Sequence, residues 1–379
     1  MSFRTVLDNH RAESLAGAGV VATVLAVQFL TSADPIGRCF VFWRQLGRHE
    51  RNLSSTSSVN KSIDDYTNLH KNESVETRNS NYQALVNAYY DLATVFYEWG
   101  WGSSFHFSYQ LPHESFDESI RRHEYQLASQ LNVYEAENIL DVGCGIGGPM
   151  RTISKLLQSR VTGVTLNPYQ VTRGNELNAK DRNANCESIQ GDFMQLPFDD
   201  QAFDAAYAIE ATCHAPDRVQ CYAEVLRCLK PGAVFACYEW CMTDKYNANN
   251  KEHQRLKKDI ELGNGLPDII DREACLQAMR DAGFEIVRAS DLMNVPHVQP
   301  WQTPLCSSWN PLSQRFQFNW LGGHLTNVAI WCLETLWLAP RGTVKTQKVL
   351  QAGGFALRDA GNAGIFTVMY MMVGRKPET

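Results

Sequence analysis

Within twelve residues, 97–108 (YEWGWGSSFHFS), the 379-residue chain sets five aromatic rings, one carboxylate and one imidazole. The rings are Tyr97, Trp99, Trp101, Phe105 and Phe107, and the polar groups are Glu98 and His106. Aromatic side chains either fill a core or line a pocket and turn electron-rich faces to a cation, the latter worth roughly 0.5–2 kcal/mol per ring. Gly100 and Gly102 interrupt the block, so it suits neither a regular helix nor an alternating strand and reads as a loop. Two more carboxylates stand at the ends of apolar runs, Asp192 after SIQG and Glu210 after FDAAYAI, and His214 follows shortly after.

A glycine-rich turn supplies a third kind of chemistry. Residues 138–142 (NILDV) form a short apolar run, followed by Gly143-Cys144-Gly145-Ile146-Gly147-Gly148 and then by Ile153, Leu156 and Leu157 at helical spacing. Strand, glycine turn and helix together bring bare backbone against a ligand. The glycines satisfy both the dinucleotide pattern G-x-G-x-x-G and the tighter G-x-G-x-G of S-adenosylmethionine enzymes, so the pattern alone does not choose. The next strand, 160–166 (RVTGVTL), ends in Thr165 and Asn167 where a nicotinamide enzyme would present an acid to the ribose. With runs at 203–210 and 229–239 and helical stretches such as 217–229 between them, the spacing predicts a parallel doubly wound sheet. In such a sheet the loops after Val142, Leu166, Gln190 and Ile209 meet at one cleft.

Composition narrows the class. The chain is 44% hydrophobic and 20% charged, and 35 Lys+Arg against 41 Asp+Glu give a net charge of −6. That is a folded protein without the basic excess of a nucleic-acid binder. Eleven scattered cysteines, none in a C-x-x-C or zinc-like spacing, read as free thiols in a reducing compartment and imply no metal. Residues 14–33 are an uncharged run of 20, diluted by polar residues but long enough to cross a bilayer, and Arg38, Arg44, Arg48 and Arg51 follow it. The flanks point to a membrane anchor (14–33, within an N-terminal segment 1–48) with the following domain in the cytosol. An ordinary buried helix is the alternative. Residues 49–80 have linker composition.

The chain resembles class I S-adenosylmethionine-dependent methyltransferases through LDVGCGIGG, the Gly191-Asp192 pair and the Leu229-Lys-Pro-Gly232 turn. From residue 81 onward it resembles the sterol 24-C-methyltransferase family more specifically. The aromatic block is similar to that family's signature, and Tyr89-Tyr90-Asp91-Leu92-Ala93, Ile209-Glu210-Ala211-Thr212-Cys213-His214-Ala215-Pro216, Tyr238-Glu239-Trp240 and Leu338-Ala-Pro-Arg-Gly-Thr-Val344 are similar to its other segments. The resemblance implies an α/β fold, a Rossmann-like class I sheet over 81–379 with an apolar C-terminal region over about 292–379. It implies S-adenosylmethionine as co-substrate, with Asp141, Gly143 and Gly145 at its methionine end, Asn167 and Gln170 near the ribose and Asp192 near the adenine.

The implied reaction is methyl transfer to C24 of a Δ24 sterol side chain, in sterol biosynthesis at the endoplasmic reticulum membrane. An alkene cannot be activated by removing a proton, so the site must align the reactants and exclude water. Methylation leaves a cation at C25, which rings stabilise without capturing. Tyr97, Trp99, Trp101, Phe105 and Phe107 are of the right type for that wall, with His214 beside the substrate and Tyr97 counted among the catalytic candidates. After a hydride shift a base must take a proton to leave a 24-methylene sterol. Glu98 and Glu210 are even candidates, and His106 and His214 are the alternatives. Rival readings are a methyltransferase for a tocopherol or fatty-acyl alkene, a nicotinamide dehydrogenase, or a sterol carrier without activity. The region 320–338 reads as a long apolar helix, serving as core, as a lid over the steroid nucleus or as a surface that meets the bilayer. A homo-oligomer is compatible with all of this.

Overall fold

The computed structural model describes residues 66–68, 74–133, 137–295, 297–310, 313–337 and 341–378. The run 14–33 and most of the polar stretch before residue 74 lie outside them. The chain forms two compact units, one of residues 66–303 with 353–379 and one that includes 304–352.

The larger unit is built on a seven-stranded sheet in the order β3-β2-β1-β4-β5-β7-β6. The strands are β1 Asn138–Val142, β2 Arg160–Thr165, β3 Cys186–Gln190, β4 Phe203–Ile209, β5 Leu229–Met242, β6 Glu285–Asp291 and β7 Phe366–Arg375. β3, β2, β1, β4 and β5 pair in parallel, as expected. β7 differs, lying antiparallel between β5 and β6. Its nine buried residues in a row show that both faces are covered. Such a run carries no information about strand direction, which is why the sequence did not reveal it.

Eight helices matter to the site: α1 Val75–Ser80, α2 Tyr82–Gly100, α3 Phe116–Ala128, α4 Gly148–Leu157, α5 Pro168–Asn178, α6 Arg218–Cys228, α7 Lys251–Asn264 and α8 Arg272–Asp281. Their starts are set by side chains that satisfy orphan amides. Ser115 and Glu118 form a capping box on α3, and Asn167, Asp217 and Asp271 cap α5, α6 and α8. The end of the expected linker is instead α1, capped by Ser74, whose buried Arg78 donates to the Pro267 carbonyl (2.9 Å) and to Glu261 (3.4 Å).

Sheet order reverses between β1 and β4, so the loops after these strands diverge and leave a cleft. Three things close over it. The glycine turn leads into α4, the loop after β4 forms a short 3-10 turn at Thr212–His214, and α2 with the aromatic block crosses above. The block starts as the last turn of α2 and not as loop. Trp101 and Gly102 both donate to the Tyr97 carbonyl (2.7 and 3.1 Å), and Gly102, at φ 106°, turns the chain out of the helix. Its far end is pinned by a two-way backbone pairing of Gln110 with Gln299 (3.0 and 2.8 Å).

The smaller unit holds α9 Trp320–Thr335 and the start of α10 Thr343–Ala363. Gly322 lets α9 pack on the preceding turn, since a Cβ there would stand 2.0 Å from the Phe316 carbonyl oxygen. Among the described residues no helix is long and apolar enough to cross a membrane.

The aromatic block rests directly on the start of α4. A Cβ at Gly148 would lie 2.2 Å from the Ser103 carbonyl oxygen, whereas one at Gly100 would meet nothing within 4 Å. Gly148→Ala is therefore expected to destabilise the protein by about 1–3 kcal/mol through forced backbone movement. Gly100→Ala should be neutral or stabilise by up to about 1 kcal/mol. Urea denaturation of the two variants checks the contrast.

Candidate active site

The cleft is walled by the ends of β1, β2 and β4 below and by α2 and the aromatic block above. Asp141 and residues 143–146 form one side, with Thr165, Asn167 and Gln170 beyond them. Glu210, Ala211 and His214 form the opposite side, and Tyr90, Phe105 and His106 face down from above. Gly143, Gly145 and Gly147 hold φ of 85°, 54° and 75°, conformations that suit glycine. A Cβ at Gly143 would stand 2.3 Å from that of Ala211, so only bare backbone lets the two loops meet.

Two buried acids give the cleft its electrostatic character. Asp141 accepts from the Tyr207 hydroxyl (2.8 Å), yet burial pushes its carboxyl up to about 7. Glu210 is 7% exposed and its two oxygens accept from the Phe107 amide and the Trp240 indole N–H, each at 2.8 Å. Burial raises it to about 7 as well, opposed by the nearby His106 charge and the Trp240 hydrogen bond. Glu210 also sits at φ 54°, which costs a non-glycine residue about 1–2 kcal/mol and marks a functional position. Two desolvated acids in one cleft favour a ligand that brings positive charge. S-adenosylmethionine, with an ammonium and a sulfonium, fits that requirement, and the bare turn at 143–147 fits close approach of its methionine end.

The imidazoles are already committed. His214 Nδ1 faces the Gly265 carbonyl (3.0 Å), which only accepts, so Nδ1 carries the proton and Nε2 accepts from Tyr90 Oη (3.0 Å). Burial lowers its pKa to about 4, so it stays neutral. His106 Nδ1 faces the Phe107 carbonyl (2.9 Å) and Nε2 faces Glu124 (3.1 Å). Burial opposes its charge, but the hydrogen bond and charge of Glu124 outweigh that and hold the pKa above the usual value. With both nitrogens engaged, neither ring has a lone pair directed at the cleft.

The two acids left even by the sequence are separated here. Glu210 lines the cleft, whereas Glu98 is paired with Arg173 on α5 through Nε and Nη2 (2.5–3.1 Å). Of the rings, Phe105 faces the cleft. Tyr97 hydrogen-bonds Tyr89 and packs on Phe105 at 5.5 Å, and burial pushes its hydroxyl up to about 12. Trp101 and Phe107 meet edge to face at 5.0 Å in a cluster with Trp240 and Trp301. The Trp99 side chain lies outside the described residues. Asp192 is held at the edge by Tyr82, by Gln83 (2.6 Å) and by the Met194 amide (2.8 Å).

Several partners escaped the sequence reading. Asn167 donates to Asp91 (2.7 Å) while capping α5, and Gln170 donates to Thr94 (3.3 Å) and accepts from Thr165 (2.7 Å). Glu124 backs His106 and Ser104 (2.7 Å), its second oxygen unpartnered. Gln83, Tyr90, Asp91, Thr94 and Glu98 recur at helical spacing along α2, a polar stripe in an otherwise apolar helix that would have pointed to them. Among the described residues no cluster of His, Cys, Asp or Glu is placed to hold a metal.

Residues 313–378 match the family described as sterol methyltransferase C-terminal, and 140–237 match the methyltransferase domain family. Cycloartenol-C-24-methyltransferase 1 of Oryza sativa is 49% identical over 84% of this chain and 93% of its own. Sterol 24-C-methyltransferase of Saccharomyces cerevisiae is 37% identical over 87% and 88%. Among solved structures, a mycolic acid cyclopropane synthase superposes with TM-score 0.58 at 17% identity, over 78% of this chain and 98% of that one. Geranyl diphosphate C-methyltransferase of Streptomyces coelicolor gives 0.53 at 20% over the same shares. These two share the fold.

Two outcomes follow from the geometry. Ionised Asp141 and Glu210 bind a cation and their protonated forms do not, so affinity for S-adenosylmethionine should rise from pH 6 to 8 by about tenfold per group. Calorimetry in buffers of different ionisation heat should show proton release below about pH 7, reduced in Glu210→Gln. Asp91 touches Asn167 and so acts through it; Asp91→Ala should raise the KM for S-adenosylmethionine roughly tenfold, with kcat changed less than about twofold. Steady-state kinetics checks that split.

Proposed function

We propose, from the premise that this chain belongs to the sterol 24-C-methyltransferase family and methylates sterol side chains at C24, that Glu210 is the base that completes the reaction. Bound S-adenosylmethionine supplies an electrophilic methyl group carried on a sulfonium. The protein's own part is to hold, to shield and to accept a proton. Asp141, Asn167, Gln170 and the turn at 143–147 bind the co-substrate, while Tyr90, Phe105 and the neutral His214 offer the sterol side chain a wall with little nucleophilic character.

The observation that carries the reading is the state of Glu210. It is buried in the cleft, held in a strained conformation by two N–H donors, and poised with a pKa of about 7. As carboxylate it stabilises positive charge on the sterol side chain; once hydride has shifted from C24 to C25 and the cation sits at C24, it can take a proton from the newly added methyl group, whose C–H pair closes the 24-methylene double bond. Glu98, neutralised by Arg173, instead ties α2 to α5. A Δ24 sterol as acceptor and a C25 cation as intermediate belong to this reading, and the wall of rings supports both.

The reading also puts the enzyme at the cytosolic face of the endoplasmic reticulum membrane. The arginines after the run 14–33 and buried thiols such as Cys213, Cys237 and Cys275 support that side.

Glu210→Gln keeps shape and loses the base, so kcat should fall about 10²–10⁴-fold with water-trapped sterol alcohols among the residual products. Glu98→Gln should keep the wild-type product and lose stability by about 1 kcal/mol. Methyl-labelled S-adenosylmethionine with Δ24 sterols, and mass spectrometry of the products, checks both. Normal turnover to 24-methylene sterol by Glu210→Gln would reject the assignment.

A further inference from the structure

The smaller unit wears its large rings on the outside. Trp320 and Trp331 of α9 are 73% and 57% exposed, Trp337 just past its end is 74% exposed, and Leu336 beside it is also exposed. At 100° per residue, positions 320, 324, 331 and 335 fall within about 60° of one another, and all four are exposed. They form one stripe of Trp, His, Trp and Thr. The helix buries its small residues instead, Gly322, Gly323, Ala329 and Cys332. A stripe of exposed tryptophans on a folded unit marks a contact surface.

Charge identifies what it contacts. Residues 304–352 carry Arg315, Arg341, Lys345 and Lys348 against Glu334 alone, a net +3 in a chain of net −6. Glu334 accepts the Val344 amide (2.8 Å), and the Arg341 guanidinium lies 4.6 Å over the Trp337 ring. A second copy docking through a twofold axis would bring two such segments of net +3 together. An anionic lipid surface is complementary, and tryptophan beside arginine and lysine is the composition that settles at a headgroup boundary. Sixteen residues reach only about 24 Å, too short to span a hydrocarbon core.

We propose that the α9 stripe carrying Trp320 and Trp331, together with the exposed Trp337 past the helix end, is the surface by which this enzyme lies on an anionic bilayer, the rings entering the headgroup–acyl boundary and Arg341 and Lys348 meeting lipid phosphates. The proposal rests on the sterol reading only in that such a substrate is drawn from a bilayer.

The test uses the full chain with phosphatidylcholine vesicles, with and without phosphatidylserine, whose acyl chains are brominated to quench tryptophan emission on contact. Quenching is expected with phosphatidylserine, weaker without it and weakened by salt, and the triple variant Trp320→Phe, Trp331→Phe, Trp337→Phe should lose most of it. Replacing the buried Trp301 by Phe should leave it unchanged. Methylation of vesicle-embedded sterol should fall about tenfold in the triple variant, while sterol delivered by cyclodextrin is methylated at the wild-type rate. Absent quenching in the wild type, or equal quenching in the triple variant, overturns the proposal. So does an altered oligomeric state with quenching intact, which assigns the stripe to a contact between copies. An equal loss of activity with cyclodextrin-delivered sterol overturns it in favour of a lid. Failure of the methyl-transfer reading would appear separately, as no labelled sterol from the wild type in either presentation.

Discussion

The carboxylate of Glu210 holds three separate parts of the chain at one point. Its oxygens take the Phe107 amide from the aromatic block and the Trp240 indole from β5, while its own amide, at the end of β4, donates to the Tyr238 carbonyl of β5 (3.0 Å). Removing the carboxylate would leave two buried N–H groups without partners, each costing about 1–3 kcal/mol. The same bonds force the residue into a left-handed conformation and out of water. Position, strain and a raised pKa are therefore one consequence of a single packing arrangement.

Behind this residue stands a buried ionic support. Glu239 on β5 accepts from Thr212 (2.5 Å), Tyr222 (3.0 Å) and the Trp240 amide (3.0 Å), with Arg218 at 3.8 Å. It fixes the turn that carries His214 and the start of α6. Buried ion pairs contribute little net stability, but a half-removed one is costly, so the turn has one arrangement open to it.

Above the sheet, α2 reaches the segments that follow β2, β3 and β4. Its residues bond Asp192, Asn167, Gln170, Arg173 and His214, and its last turn begins the aromatic block. At the end of β2, Asn167 is tied to Asp91, a carboxylate supplied by a helix 76 residues upstream.

The amino-acid sequence by itself determined the parallel strands, the glycine turn, the cleft at their carboxyl ends and the family chemistry. Each of these depends on local pattern: apolar period, glycine spacing and strand-end acids are written in consecutive residues. It also named Glu210, Asp141, Asn167 and Gln170 as residues of the site. Only the tertiary structure set Glu210 in the cleft and Glu98 away from it, since the difference lies in partners from distant elements, Arg173 for one and Phe107 with Trp240 for the other. Strand direction in β7, the packing of Trp101 and Phe107 into the core, and the proton positions of His106 and His214 were decided there too. Direction, burial and hydrogen-bond partnership are relations between residues far apart in the chain, and no local pattern encodes them.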